Sequence, residues 1–228
     1  MMVKMNKSSA IQAIHKAGIL LVFPNNNKKE PASLWCHFFP RKKMRWEWDS
    51  SGDSGVSDLW FLKTELSTTR KVIYTKWYQN KATYFSRKLF TAMLRALNPE
   101  LSKKPKLSRT ASFLLEILES DSPISAKKLR KLVLLEEGNH DISFDAALRE
   151  LWAKLLIVAF GEVDDGSFPS LAIGATKTMF EDIWTEAEEM TETEALQSIA
   201  KSLAEENLFR RYFEKLQKRM PGAIIGNK

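Results

Sequence analysis

The sequence has little of what metal and nucleotide sites require. It holds one cysteine and three histidines among 228 residues. Cys36 and His37 are adjacent, but a metal site needs several such ligands at close spacing, so we expect no metal and interpret Cys36 as a core thiol. The nine glycines form no phosphate-binding loop, and neither an HExxH motif nor a nucleophile elbow is present. We therefore expect no cofactor.

Long apolar runs are missing as well. The longest, such as Gly18 to Phe23 and Leu155 to Phe160, are far shorter than the roughly 20 residues that cross a bilayer. A lone cysteine forms no internal disulfide, and Met1 to Gly18 lacks the apolar core and cleavage site of a secretory signal. The sequence predicts a cytoplasmic protein with no membrane partner.

Positive charge is concentrated in the first part of the chain. Met1 to Ser108 holds 20 Lys and Arg against 7 Asp and Glu, whereas the remaining 120 residues hold 15 against 21. The first part also contains 14 of the 24 aromatic residues. A basic, aromatic-rich region favours a polyanionic partner. The alternative, a solvated basic face over an aromatic core, stays open.

The first part of the chain contains signals for three helices. Ser8 or Ser9 is expected to cap a helix that ends at Gly18, a residue that adopts left-handed backbone easily. Apolar residues at helical spacing predict a second helix from Asp58 and a third from Ser86 to Leu97.

Strand signals lie between these helices. Residues 19–23 are expected to form a short buried strand. Met44, Trp46 and Trp48 alternate with charged residues, which is typical of a half-buried strand. Two hairpins are therefore predicted, the first joining residues 34–39 to 44–48 and the second joining 70–77 to 82–85.

Residues 108–176 carry the clearest pattern in the chain. Three helices, expected to be capped by Thr110, by Ser122 to Ser125 and by Ser143, precede two strands joined by a turn at residues 164–166. This order is that of the winged-helix form of the helix-turn-helix. The sequence predicts an α+β fold with three parts: a basic mixed region at 1–103, a winged helix at 108–176 and a charged helical tail at 177–228.

The third helix of this pattern has a nearly neutral polar face. Outside its apolar stripe lie Asp145, Ala146, Arg149, Glu150, Ala153 and Lys154. The turn that follows carries Asp164 and Asp165, which phosphates would repel. Counted on this helix alone, the charges favour a scaffold over a reader of the major groove.

The tail beyond Thr176 reads as helical. Thr191 and Glu194 resemble a capping box that opens a helix through Leu203 and toward Leu216. The pattern leaves three roles open: packing on the winged helix, packing on the first part, or binding a protein partner.

Cations interleaved with aromatic residues are the remaining functional signal. Such cations contact phosphates, and exposed aromatic rings stack on unpaired bases. The alternation favours rings that turn inward, at Trp46 and Trp48 in particular. The candidate nucleic-acid-binding residues are Arg41, Lys42, Lys43, Arg45, Lys63, Arg70, Lys71, Tyr74 and Lys76.

Two stretches resemble a bacterial family related to the AlkZ-like (YcaQ-type) winged-helix DNA glycosylases. The first contains EPASLWCHFF, DLWFLKTEL and RKVIYTKWYQNKATYFS; the second contains SRTASFLLEILESDSPISAKKLRKLV and SFDAALRELWAKLLIVAFGEVDDG. Together they cover a little over half of the chain. The residues that match the family's looser pattern are Trp35, Trp60, Lys63, Tyr74 and Lys76.

The resemblance implies a protein linked to DNA repair that binds DNA rather than RNA and uses no metal or nucleotide cofactor. The characterised glycosylases use a paired Gln-x-Gln motif, whereas glutamine occurs here at positions 12, 79, 197 and 217 and never as that pair. No catalytic residue is assigned, and the chain is either a divergent glycosylase or a non-catalytic relative. The alternative from another class is a protein-interaction module that uses the winged helix and the tail.

Overall fold

The computed structural model describes residues 4–46, 54–137, 141–164 and 169–219, without the side chains of 136, 137 and 141–143. The helices are α1 (Lys7–Ala17), α2 (Leu34–Phe38), α3 (Ser54–Ser67), α4 (Arg87–Leu97), α5 (Arg109–Ser120), α6 (Ala126–Glu137), α7 (Asp141–Ala153), α8 (Thr176–Met179), α9 (Glu181–Glu189), α10 (Glu192–Ser202) and α11 (Leu208–Gln217). The strands are β1 (Ile19–Leu21), β2 (Val72–Thr75), β3 (Thr83–Ser86), β4 (Ile124–Ser125), β5 (Ile157–Val163) and β6 (Ser170–Ala175). The α+β class is confirmed.

All six strands belong to one antiparallel sheet in the order β1-β3-β2-β5-β6-β4. The strands of the first part meet those of the second where Tyr74 of β2 lies opposite Ala159 of β5. The connecting segment is also anchored, because the buried Asn98 amide donates to the carbonyl of Lys154 at 2.9 Å. The sheet thus runs across the predicted boundary between 1–103 and 108–176, and the division into three domains stays a prediction.

Helix α1 ends as predicted but begins earlier. Its N-cap is Asn6, whose side chain accepts from the Ser9 backbone N–H at 3.0 Å, so the prediction of Ser8 or Ser9 as cap is wrong. Ser9 is instead the third helical residue of the capping box. Gly18 ends the helix at φ 77°, and a Cβ there would meet Leu89 Cδ2 at 2.9 Å. Glycine is required here for both conformation and space.

The first predicted hairpin is wrong. Residues 34–38 form the helix α2, which Ser33 caps by accepting from the Cys36 N–H. Leu34 and Phe38 are one helical turn apart and are buried on the same side, so helical spacing overrides the strand propensity of the aromatic residues. Residues 42–46 form no strand, and Trp48 lies outside the described residues.

The second predicted hairpin is confirmed, since β2 and β3 pair from Val72↔Ser86 to Thr75↔Thr83. Ser86 caps α4 as predicted, with its hydroxyl accepting from the Leu89 N–H. The helix predicted from Asp58 begins at Ser54, and it buries Leu59 and Leu66.

The second part follows the predicted order of elements, with the short strand β4 inserted before α6. Ser108, not Thr110, caps α5 by accepting from the Ala111 N–H. The core of this second part contains the inward faces of α5, α6 and α7 and of the strands β5 and β6. Its buried residues include Leu114, Leu118, Leu129, Val133, Phe144, Leu151, Trp152, Ile157 and Ile173. Most of the predicted turn at 164–166 lies outside the described residues.

The tail packs on the first part. The capping box of Thr191 and Glu194 is confirmed, but the helix it opens ends at Ser202 and α11 follows as a separate helix. Helices α9, α10 and α11 all contact α4. Arg95 Nε donates to the Met190 carbonyl at 2.6 Å, and Arg87 forms an ion pair with Asp182. Of the three roles left open by the sequence, packing on the first part is observed for α9, α10 and α11, while α8 contacts α5, β5 and β6 of the second part.

No helix in the described ranges combines the length and apolar character that crossing a bilayer demands.

The packing of the tail can be tested by paired substitutions on α10. Ile199 is 2% exposed and Leu196 is 39% exposed. We expect Ile199→Ala to lower the free energy of unfolding by about 2–4 kcal/mol, and Leu196→Ala by less than about 1 kcal/mol, because only the former leaves a cavity. Urea unfolding followed by circular dichroism measures both. Equal small losses would show that α10 is not part of the cooperative core.

Candidate nucleic-acid interface

A concave cleft of about 350 Å³ opens between the end of β2, the β2–β3 turn and the helices α6 and α7. Its walls are partly apolar, with Phe144, Leu148 and Trp152 contributed by α7 and Leu171 and Ile173 contributed by β6. Its polar lining residues are Lys76, Asn80, Lys127, Arg130, Asp145 and Arg149. Four cations therefore surround one carboxylate.

The cations of this cleft come from distant parts of the sequence. Lys76 follows β2, Lys127 and Arg130 lie on α6, and Arg149 lies on α7. Arg130 Nη2 binds Asp145 Oδ1 at 3.0 Å, and its guanidinium lies 4.6 Å from the Phe144 ring centroid. Counted formally over the lining residues, four cations and one carboxylate give the cleft a net charge of plus three.

Lys76 is a half-buried cation of the cleft. Burial lowers the pKa of its ammonium, and the positive charge of Lys63 lowers it further, while Asp145 opposes both. A lysine held in this way has lost part of its hydration before any ligand arrives. Binding of an anion therefore removes less hydration from Lys76 than it would from a fully exposed lysine.

A buried ion pair lies near Lys76. Lys63 Nζ on α3 binds Glu162 Oε1 on β5 at 2.9 Å, and the side chains are 5% and 19% exposed. Lys63 Nζ also lies 3.8 Å from the Trp60 ring centroid. Below the pair, Tyr74 stacks on Tyr84, whose hydroxyl donates to the Lys63 carbonyl. Burial raises the pKa of both phenols, and Glu162 adds to this effect, so both stay neutral hydroxyls.

The nine residues predicted from the sequence fall into three groups. Arg41, Lys42, Lys43 and Arg45 are exposed and follow α2. Lys63, Tyr74 and Lys76 lie together, but Lys63 and Tyr74 are buried. Arg70 and Lys71 lie at the other end of β2.

Arg70 is engaged within the fold through its side chain, whereas Lys71 is engaged through its backbone carbonyl and its side chain is exposed. The Arg70 guanidinium donates to the Met179 carbonyl at 2.8 Å and lies 5.5 Å from the Phe160 ring. The Lys71 carbonyl contacts His15 Nε2 at 3.0 Å. Arg70 is thus held by the tail, away from Lys76.

Lys127, Arg130 and Arg149 were missed by sequence reasoning. The polar face of α7 is nearly neutral by itself, but α6 and the end of β2 add three cations to the same concavity. A charge count over α6, α7 and the β2–β3 hairpin gives an excess of only two Lys and Arg over Asp and Glu, so the sequence carries this signal weakly.

Within the described part of the chain, no three His, Cys, Asp or Glu side chains lie close enough together to hold a metal ion. Cys36 is half-buried, and its Sγ lies 3.9 Å from the Lys28 carbonyl.

The fold and the cleft define an α+β protein with a concave, cationic surface. A family model described as AlkZ related matches residues 5–218. The chain belongs to this AlkZ-related family, and the resemblance seen in the sequence is confirmed. No curated protein and no solved structure matches it.

The Lys63–Glu162 pair should respond non-additively to substitution. Glu162→Gln leaves the buried Lys63 ammonium without a carboxylate, and we expect a loss of about 3 kcal/mol in the free energy of unfolding, as for Lys63→Met alone. The double variant Lys63→Met/Glu162→Gln removes both charges and should unfold within about 1 kcal/mol of wild type. A double-mutant cycle in urea measures the coupling. Simple additivity would mean that the pair contributes nothing as a pair.

Lys76→Met should not destabilise the protein. A folded-state pKa below that of the unfolded chain means that the charged lysine opposes folding at neutral pH, and this opposition fades as the pH rises toward 10.5. Urea unfolding at pH 7 should therefore give the variant equal or greater stability than wild type, with the gap narrowing at pH 9.5. A variant less stable at pH 7 would contradict a burial-dominated shift.

Proposed function

We propose that this protein binds DNA through the cationic cleft and acts in DNA repair. The excess of cations around the concavity between β2, α6 and α7 carries the proposal. Lys and Arg side chains in such a cleft displace the counterions condensed on nucleic acid, which drives binding of any sequence. Membership of the AlkZ-related family supports a DNA-repair role and favours DNA over RNA.

Residues 108–176 form the winged helix of this proposal. The observed order helix, strand, helix, helix, strand, strand supports that assignment. In DNA-binding proteins of this type the third helix contacts the major groove. Here α7 would face DNA with Arg149, while Lys127 and Lys76 reach the flanking phosphates.

The predicted residues have two roles in this proposal. Arg41, Lys42, Lys43, Arg45 and Lys76 are proposed as direct phosphate contacts. The exposed Lys71 is a further proposed phosphate contact, Lys63 and Tyr74 lie beside Lys76, and Arg70 holds the far end of β2 in place through its bond to Met179. No residue is proposed as catalytic, since the glutamine pair used by the characterised glycosylases is missing from the sequence.

The competing function, a protein-interaction module that uses the tail, has less support. The apolar faces of α9, α10 and α11 are packed, with Ile183, Ile199 and Phe213 buried. A partner would have to bind the outer, charged faces of these helices.

A salt series on single- and double-stranded DNA tests the proposal. We expect log Kd for a duplex to rise linearly with log salt, because each neutralised phosphate releases counterions. The triple variant Lys76→Met/Lys127→Ala/Arg149→Ala should reduce that slope by about three units, close to 0.9 for each phosphate that the variant no longer neutralises. Anisotropy of a labelled 20-base-pair duplex between about 50 and 200 mM salt gives the slopes.

The matched control is Lys16→Ala/Lys88→Ala/Lys201→Ala. These lysines are exposed and line no described cavity. Replacing them removes the same net charge as the cleft variant does. We expect this variant to keep most of the wild-type slope. If both triple variants behave alike, binding follows net charge and not the cleft. Salt-independent binding by wild type would refute the proposed phosphate contacts, and absent binding would refute DNA binding.

A further inference from the structure

A second cavity, of about 460 Å³, lies on the other side of the β2–β3 turn. It is lined by the loop after β1, by the segment that contains Met44 and Trp46, and by Lys81 and Ala82 of the turn. It shares no lining residue with the cationic cleft. Asn80 nevertheless lines the cleft and the next residue, Lys81, lines this cavity. The two concavities therefore border the same turn, at residues whose Cα atoms are about 3.8 Å apart.

Trp46 presents its ring at this cavity. The strand prediction placed the ring in the core, but the residue is 51% exposed. The indole leans on Phe23, with 4.8 Å between ring centroids and 59° between planes. One side of the ring is supported and much of the rest contacts solvent. An exposed indole on an aromatic support is what base stacking requires.

Asn27 holds the Trp46 segment in place. Its Nδ2 donates to the Met44 carbonyl at 3.0 Å, and the Met44 N–H donates to its Oδ1 at 2.7 Å. Asn26 and Asn27 both have positive φ, at 52° and 55°, a conformation that asparagine tolerates better than most residues. Met44 itself is buried. The wall that carries Trp46 is thus fixed before a ligand arrives, which lowers the entropic cost of binding.

Polar side chains also line the cavity. Within the described residues, the side-chain amides of Asn25 and Asn26 make no hydrogen bond, and Lys81 has no ion pair. Amides offer a donor and an acceptor side by side, which suits the edge of a base. Arg45 lies next to Trp46 in the chain, and both are exposed. An apolar peptide or lipid would use the ring but leave these amides and cations unsatisfied.

We propose that this cavity binds an unpaired nucleobase of a DNA strand whose backbone lies in the adjacent cationic cleft. The base stacks on Trp46, its edge contacts Asn25 or Asn26, and Lys81 contacts the phosphate between the two concavities. This inference rests on the proposed function, because it takes DNA as the ligand. It adds that the protein prefers DNA that contains an unstacked base.

Three DNA probes of one length test the inference: a fully paired duplex, the same duplex with one bulged adenine, and the same duplex with an abasic bulge. Wild type should bind the bulged adenine most tightly. Trp46→Ala should weaken that binding at least about fivefold, since stacking contributes about 1–3 kcal/mol per base, and should leave the other two affinities within about twofold. Trp46→Phe, which keeps a ring, should recover most of the loss.

Two further variants separate stacking from general effects. Phe61→Ala removes a ring that is 68% exposed on α3 and lines neither cavity, so it should bind all three probes as wild type does. Asn26→Ala should selectively weaken the bulged adenine. With 2-aminopurine as the bulged base, wild type should quench its fluorescence more than Trp46→Ala does.

The outcomes distinguish this inference from the proposed function. If wild type binds the paired duplex in a salt-dependent manner but Trp46→Ala matches it on the bulged adenine, the cavity is not a base site while the cleft still binds DNA. If Trp46→Ala weakens all three probes equally, the ring supports the fold or the backbone contact, and the inference is wrong. If wild type binds none of the probes, both proposals are wrong.

Discussion

The contact between β2 and β5 is the constraint on which the rest of the structure depends. It is narrow, with Tyr74 opposite Ala159 in the sheet. Two contacts from α3 reinforce it, since Lys63 binds Glu162 and the Gly161 N–H donates to Ser67 Oγ at 2.9 Å. Helix α3 therefore clamps β5 beside β2. Without this junction Lys76 would have no fixed position relative to α7, and the cationic cleft would not exist.

The cleft shows how a cationic surface and a hydrophobic core can share the same elements. Phe144 and Trp152 of α7 are buried, while Arg149 on the same helix reaches the cleft. Lys76 continues β2 beyond the buried Thr75, and its charge is less favourable there than in water. A side chain that costs stability yet faces a concave surface is typical of a functional position.

Periodic signals from the sequence predicted much of the fold because they report burial of one face. Leu89, Met93 and Leu97 are one turn apart, and α4 follows their spacing; the hairpin of β2 and β3 follows its turn residues. The first hairpin failed because SLWCHF combines strand-forming residue types with a serine cap, and the tertiary environment favoured the cap. The prediction that the Trp46 ring turns inward failed for a related reason, since alternation predicts an inward ring only where a strand exists.

The candidate site was harder to predict than the fold. Residue type identified Lys76 as a candidate. Its grouping with Arg149, however, depends on the pairing of β2 with β5, and single-sequence patterns carry no information on which strands are neighbours. For the same reason the sequence pattern predicted Lys63 to be a surface cation. Its partner Glu162 is 99 residues away, and only the fold brings the two charges together.

The packing of the tail on α4 also bears on how the chain reaches its native state in the cell. Helix α4 ends at Leu97, but Phe209 and Phe213, which help to complete the core around it, are more than 100 residues later in the chain. At a synthesis rate of roughly 5–20 residues per second, α4 waits at least about five seconds for these partners. During that interval the apolar residues of α4 that α11 covers in the native fold have not yet met their partners.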